Sequence, residues 1–307
     1  MNQQLPSLSV VIPAYNERDH MRGCIEALLE QVDELEEIIV VDNNSTDETV
    51  AIVKAFQKLE PRITLLHEKK QGAIAARDAG LHAATTDLIG RIDADTYVQP
   101  GWARAARTFF ANPEHATISA ASGPSFPHDA PFQRIVEWFI TAFFNSNGDH
   151  GKVKALFGSN MIIRRLAWQL IEPEVCRRHD IMEDLDIAVH LTKHGTQVAV
   201  IPDMRVGVSS RRIQTNPVSY WRYQSLWPNT YAVHGMKLVA ARIWLAAIFG
   251  NIIQLIIVVP ARAFNPHTRR FSLTYLFGFA KESRERELPY EHPRQKKNPK
   301  KTKTSKG

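Results

Sequence analysis

Four short apolar runs, with stretches of helical spacing between them, constrain this chain more than any other feature. Residues 8–12 (LSVVI), 37–41 (EIIVV), 63–66 (ITLL) and 88–92 (LIGRI) have the nearly continuous apolar character of strands buried on both faces. Pro13 is expected to stop the first. Between the runs, residues 18–32 place Met21, Ile25, Leu28 and Leu29 at helical spacing. Residues 46–59 predict a helix capped by Thr46 or Asp47, and residues 72–83 an alanine-rich one. Buried strands alternating with helices predict βαβ units and a parallel sheet. Right-handed crossovers align the strand ends, and ligands bind at their carboxyl ends. Polar clusters follow Ile12, Val41 and Ile92, at three of those ends.

Composition narrows the class. With 307 residues, 44% hydrophobic and 23% charged, the chain can build one large α/β domain with appendages. The net charge of +6 is unevenly placed: thirteen Lys and Arg against four acids lie from Arg262 onward, so the preceding body is mildly acidic. A basic arm on an acidic body argues against a nucleic-acid-binding fold. Cys24 and Cys176 lie far apart and match no metal or redox spacing, so both are expected as reduced thiols. The opening MNQQLPSLSVVIP lacks the features of a secretory signal, and the body is expected on the cytoplasmic side.

Residues 243–259 (IWLAAIFGNIIQLIIVV) are 17 residues without a charge, at the lower edge of what spans a bilayer. Arg242 and Arg262 flank them and Trp244 sits near one end, while Asn251 and Gln254 weaken a lipid-facing role. A membrane-docked segment is expected, spanning or interfacial, with a helix buried in the globular body as the alternative. A second apolar patch, 271–280, is too short to span. Residues 294–307 carry seven Lys and Arg and no acid, and are expected to be disordered and able to meet anionic headgroups. The less regular middle holds aromatic stretches at 139–144 and 220–227, and is expected to cover the first half and take the second substrate.

The chemistry concentrates first in Asp93-Ala94-Asp95, directly after LIGRI. Two carboxylates at a strand end can converge on one hard cation, Mg²⁺ or Mn²⁺, which neutralises a diphosphate leaving group. This pair stands in a series: VVIPAYNER (10–18), VVDNNSTDET (40–49), KKQGAIAARDAG (69–80) and DADTYVQPGW (93–102), each at or after one of the four strands. In this order and spacing the chain resembles the family 2 glycosyltransferases over roughly residues 8–210.

The resemblance implies a GT-A type, Rossmann-like mixed sheet flanked by helices, with a C-terminal helical membrane-associated extension. Together with the apolar and basic stretches beyond it, this divides the chain into a catalytic domain at 1–235, a hydrophobic segment at 236–281 and a basic tail at 282–307. The resemblance also implies an inverting, metal-assisted transfer from a nucleotide-diphosphate sugar, UDP-sugar favoured and GDP-mannose open, to a lipid-linked or polysaccharide acceptor at the cytoplasmic face of a membrane. Residue by residue, Pro13, Ala14, Tyr15, Glu17, Asp42, Asn44, Gly72, Arg77 and Asp93 are matched to donor-nucleotide contacts, with Arg77 positioning an acid of the site. Asp95, with Asp93, is matched to the metal. Farther on, Gly158-Ser159-Asn160 resembles an acceptor-side segment, and Glu183-Asp184 the Glu-Asp motif that opens a helix, with Asp184 as general base. Arg211 and Arg212, in a loop taken to follow the strand VAVIP, would lie over the donor diphosphate. Trp221, Tyr223 and Trp227 either stack on a sugar, line a lipid path or simply pack. A nucleotidyltransferase and a non-catalytic binding protein remain the alternatives; the first lacks its Gly-rich loop after strand one, and the retained acids count against the second.

Overall fold

The first apolar run becomes the interior strand of a seven-stranded sheet. The computed structural model describes residues 5–131, 133–134, 136–138, 140–141, 155–265 and 269–273. The tail at 282–307, residues 274–280 of the second apolar patch, and all but Ile140 and Thr141 of the 139–144 stretch lie outside them.

Strands β1 (Leu8–Ala14), β2 (Glu37–Asp42), β3 (Ile63–His67), β4 (Leu88–Arg91), β6 (Ile118–Ser122), β8 (Met161–Arg164) and β9 (Gln197–Val200) line up in the order β3-β2-β1-β4-β8-β6-β9. The first four pair in parallel, whereas β8 runs antiparallel to both β4 and β6, so the sheet is mixed. Side chains of β1 alternate between faces. Val10 and Ile12 pack with helices α1 (Arg18–Leu29), α2 (Thr49–Gln57) and α4 (Trp102–Ala111), and Val11 with α3 (Ala73–Ala83), α5 (Arg165–Ile171) and α6 (Glu183–Lys193).

Three local expectations shift. Strand β1 does not stop at Pro13 but pairs through Ala14. The Val11 carbonyl accepts from Ile92 N on the β4 side, and the Ala14 carbonyl from Asn43 N on the β2 side. Pro13 therefore faces the β4 side, beyond the last pair Val11↔Arg91, where no ladder partner needs its missing N–H. The helix expected over 46–59 is Thr49–Gln57, because Asp47 Oδ1 accepts from Thr49 N (3.0 Å) and the Thr46 N–H is taken by Asn16 Oδ1 (2.8 Å). The helix expected over 18–32 ends at Leu29.

A second, three-stranded sheet positions the site. Strand β5 (Tyr97–Val98) follows Asp93-Ala94-Asp95, and β10 (Val206–Val208) precedes the Ser209–Arg212 loop; β7 (Ser125–Pro127) pairs with β10 from the other side. The antiparallel pairs Val206↔Val98 and Gly207↔Tyr97 carry that loop back over the acids. The strand feeding the arginines is thus β10, not VAVIP.

Helix α7 (Pro217–Val233) starts from Asn216, whose Oδ1 accepts from Ser219 N at 2.9 Å, with Pro217 in the first turn. Helix α8 (Lys237–Ala263) extends the expected apolar segment to 27 residues. It is the one helix among the described residues that is long and apolar enough to cross a membrane. Its buried stripe is Ala240, Ala247, Gln254, Val258 and Ala261, and its opposite side leaves Leu245, Phe249 and Ile256 about 70% exposed. Gln254 does not interrupt the apolar face. It points inward, where Nε2 donates to the carbonyls of Ile213 (3.1 Å) and Thr215 (3.0 Å), and Arg262 Nε donates to Gln214 O at 2.8 Å.

Candidate active site

The end of β1 and the end of β2 form one wall. Asn16 turns the chain with φ 52°; its N–H donates to Ser45 Oγ (3.0 Å), which ties the two loops together. Pro13 and Tyr15 are half-buried beside it and Ala14 is buried. Asp42, at the tip of β2, accepts from Ser45 N (3.2 Å), and its other oxygen lies 3.2 Å from His67 Nδ1. Each carboxylate oxygen has a second lone pair, so acceptor capacity remains. Asn44, expected at the nucleotide, instead straps the following loop. In a left-handed conformation (φ 64°), its Nδ2 donates to Lys69 O (3.0 Å) and Gln71 Oε1 (3.1 Å). The neighbouring Asn43 is buried and holds the same loop through Glu68 O, Lys70 O and, by its Oδ1, Gly72 N at 2.7 Å. Gly72 then enters α3 at φ 140°, a conformation that disfavours any side chain.

The acids meet below that wall. Glu183 at the start of α6 has both oxygens engaged, by Arg77 Nη1 (2.7 Å) and Arg91 Nη1 (2.9 Å). Arg77 Nη2 also reaches Asp93 Oδ1 at 3.4 Å, so one guanidinium joins the DxD segment to the Glu-Asp segment. Glu183, expected among the catalytic residues, is held between two arginines. Asp184, the next residue, accepts from Gly158 N (2.6 Å) and Leu185 N (2.9 Å). Arg91 Nε donates to the Gly158 carbonyl at 3.1 Å. A Cβ on Gly158 would lie 1.8 Å from Arg91 Nη2, so only glycine lets this backbone pass between Arg91 and Asp184. Burial pushes the Asp184 carboxyl up, offset in part by Arg91, the Gly158 N–H and Arg77. Burial also works on Asp93, but Arg77, Arg91, Arg212 and Arg211 together hold it below the usual carboxylate range.

Arg211 closes the cleft. It binds Glu17 through two parallel hydrogen bonds (2.9 and 2.7 Å), and its Nε lies 2.8 Å from Asp95 Oδ2. Burial raises the Asp95 carboxyl despite Arg211, and Asp93 adds to the rise. Glu17 is raised too, chiefly by burial. Glu17 and Asp95 thus share one guanidinium. The loop itself rests on Asp129, which accepts from Ser209 Oγ (2.7 Å) and Ser210 N (2.6 Å). Arg212 lies 4.0 Å over the Tyr223 ring, while Tyr223 and Trp227 pack around Met182, Leu185 and Leu226. Trp221 faces Trp244 of α8 at 5.4 Å. Asn160 faces the core, bonded to Trp102 Nε1 (2.8 Å) and Met204 O (2.7 Å).

The model of glycosyl transferase family 2 matches residues 9–170. The chain belongs to this family. Curated relatives include the uncharacterized glycosyltransferase YibD of Escherichia coli (strain K12), 41% identical over 93 residues, which is 30% of this chain and 27% of that protein. Glycosyltransferase GlyG of Streptococcus pneumoniae serotype 4 (strain TIGR4) is 38% identical over 93 residues, 30% of this chain and 31% of that one. These alignments span less than a third of the relatives' length. Among solved structures, the mannosyltransferase PcManGT from Pyrobaculum calidifontis, in complex with GDP-Man and Mn²⁺, superposes with a TM-score of 0.54 at 21% identity over 92% of this chain and 88% of that one. S. aureus TarS gives 0.53 at 16% identity, over 79% of this chain and 43% of that one. At such identities the likeness shows the fold, which is of the GT-A type.

Four organising residues escaped the sequence reading: Arg91, Asn43, Asn16 and Asp129. Arg91 alone left a signal there, as a charge in the middle of an otherwise buried strand, which must find a partner.

Proposed function

We propose that this chain is an inverting glycosyltransferase that moves a sugar from a nucleotide-diphosphate sugar to an acceptor presented at a membrane surface. The observation that carries this reading is that Arg77 bridges Asp93 of the DxD segment to Glu183, the neighbour of Asp184, while Arg211 lies against Asp95. Asp95 and Asp93 supply the hard oxygen donors that Mg²⁺ or Mn²⁺ prefers, and Arg211, now against Asp95, would have to yield that oxygen to the ion. A bound Mg²⁺ or Mn²⁺ would be held by Asp95 and Asp93 and would neutralise charge on the departing nucleotide diphosphate. Arg212 presents a forked donor suited to the same diphosphate, and Arg211 would join it on leaving Glu17. Asp42 has acceptor capacity for a ring N–H of the base, in the wall formed with Pro13, Ala14 and Tyr15. Asp184 takes the proton of the attacking acceptor hydroxyl, and a single displacement inverts the anomeric carbon.

A UDP-sugar is the favoured donor and GDP-mannose the competitor. Solved neighbours include PcManGT with GDP-Man and Mn²⁺ and GalNAc-T7 with UDP, GalNAc and Mn²⁺. The deciding experiment is a thermal-shift panel of UDP, GDP, CDP and dTDP, each with Mn²⁺ or EDTA. A ligand that binds only the folded state raises the melting temperature by mass action. One nucleotide should stabilise the protein in Mn²⁺ alone, and Asp95→Ala should lose that shift. No stabilisation by any nucleotide in folded protein would overturn the assignment in favour of a different class of ligand.

Helix α8 supports the membrane part of the proposal, and its packing favours an in-plane orientation. Its buried stripe runs from Ala240 to Ala261, so the helix lies lengthwise on the body while Leu245, Phe249 and Ile256 face out. The Gln254 bonds to Ile213 and Thr215 place this surface next to the loop that carries Arg211 and Arg212. Gln254→Leu should keep vesicle binding in a flotation assay yet raise the KM for the donor severalfold, because the loop loses two anchors. Loss of vesicle binding with unchanged KM would reverse the roles given to the two faces of the helix.

A further inference from the structure

A second grouping of chemistry-bearing side chains lies outside the cleft. Asp186 and His190 sit one turn apart on α6, past Asp184. Cys176 comes from the loop that leads to this helix, and His234 is the residue that ends α7. One ligand atom from each of the four lies within 4.8 Å of the others. Cys176 Sγ is 3.8 Å from His190 Nε2, His190 Nε2 is 3.5 Å from Asp186 Oδ1, and His234 Nε2 is 2.7 Å from the same oxygen. We infer that Cys176, Asp186, His190 and His234 form a binding site for a borderline divalent cation of the Zn²⁺ class, separate from the carboxylate pair of the cleft.

The donor set decides the class of ion. Two imidazoles, one thiolate and one carboxylate oxygen suit Zn²⁺ or Co²⁺ and are poor ligands for Mg²⁺ or Mn²⁺, which take oxygen. Bond lengths of about 2.0–2.3 Å put adjacent ligand atoms of a tetrahedral site about 3.3–3.8 Å apart. The Cys176–His190 and His190–Asp186 separations already match. The Asp186–His234 contact is a hydrogen bond, and opens by about half an ångström when the ion replaces the shared proton. That proton passes to His234 Nδ1 and the thiol proton to solvent, since the ligands must be deprotonated where they bind. Lys193, 2.9 Å from Nδ1 and exposed, is free to swing into solvent. Second contacts orient the ligands. Cys176 N donates to Asp186 Oδ2 (2.8 Å), which leaves Oδ1 for the ion. His190 Nδ1 lies 3.3 Å from Glu174 Oε2, the carboxylate–histidine contact that orients a metal-bound ring. Asp186 and the His234 side chain are buried, whereas Cys176 is only half-buried and gives the ion a way in. Once bound, the ion clamps the helix carrying Asp184 to the end of α7, from which α8 continues.

The test uses the full chain, stripped of metal by chelation and titrated with Co²⁺. Wild type should show, at one equivalent, a thiolate-to-cobalt charge-transfer band in the near ultraviolet and the intense visible bands of tetrahedral Co²⁺. Zn²⁺ should abolish both and raise the melting temperature. Cys176→Ser should lose the charge-transfer band, His234→Gln should lose tight binding, and Asp95→Ala should keep the whole spectrum. Circular dichroism checks that each variant is folded. Folded wild type without these bands, bands that survive Cys176→Ser and His234→Gln together, or bands lost in folded Asp95→Ala would each overturn the site.

Discussion

Asp184→Asn is expected to slow sugar transfer by about 10²–10⁴-fold, the usual worth of general acid–base catalysis, while donor binding persists. The carboxylate uses one lone pair on Oδ2 for Gly158 N and one on Oδ1 for Leu185 N, so two of about four acceptor positions stay open for the incoming hydroxyl. An amide keeps the shape but cannot take the proton. It also turns an NH₂ toward one of the two backbone donors, at a cost of about 1–3 kcal/mol in stability, so melting is measured beside turnover. The pH profile gives an independent reading. Burial raises the Asp184 carboxyl, and the base works only when ionised. The acid limb of kcat/KM should therefore lie above the ordinary carboxylate value of about 3.9, with activity falling as pH drops through it. Normal turnover in folded Asp184→Asn protein would remove Asp184 from the mechanism.

Arg91→Met should destabilise the fold by about 1–3 kcal/mol, the cost of leaving buried acceptors, one Glu183 oxygen and the Gly158 carbonyl, without their donor. Arg91 is fully buried on β4, and its guanidinium serves both Glu183 (2.9 Å) and the Gly158 carbonyl (3.1 Å). Its loss leaves Glu183 to Arg77 alone. The double variant Arg91→Met, Glu183→Leu should recover little of the stability in urea unfolding, since it also takes Glu183 from the buried Arg77, whose contact to Asp93 is longer at 3.4 Å. It should not recover transfer, because Arg77 and the Gly158 segment would no longer be held against Asp93 and Asp184. If Arg91→Met were neutral, the buried clamp would have no structural weight.

Much of the fold was legible before any coordinates. The four parallel strands emerged from continuous apolar runs, since burial on both faces removes the alternation that marks a half-exposed strand. The antiparallel β8 and the short β5 and β10 were not legible. They are two to four residues long, too short for a periodic signal, and their pairing is set by partners far away in sequence. The cleft residues at strand ends were readable because the strand ends were. The two arginines on Glu183 were not readable, because Arg77 and Arg91 lie about a hundred residues before it. The bonds of Asn44 to the next loop were not readable, because they depend on a backbone turn with φ 64°.

Local chemistry written along the chain determined the alternation of strands and helices, the DxD pair at a strand end, the Glu-Asp pair at a helix start and the apolar C-terminal helix. Each depends on neighbours within a few residues, so periodicity and spacing expose it. The tertiary structure alone decided which charges meet. Arg77, Arg91, Arg211 and Asp129 find their partners only when crossovers and the small second sheet bring distant segments together. The Cys176, Asp186, His190 and His234 group belongs to the same class, because only the fold brings a loop cysteine and a helix-end histidine to the Asp186–His190 pair. A buried charge is tolerated only beside its counter-charge, and the address of that counter-charge is a property of the fold.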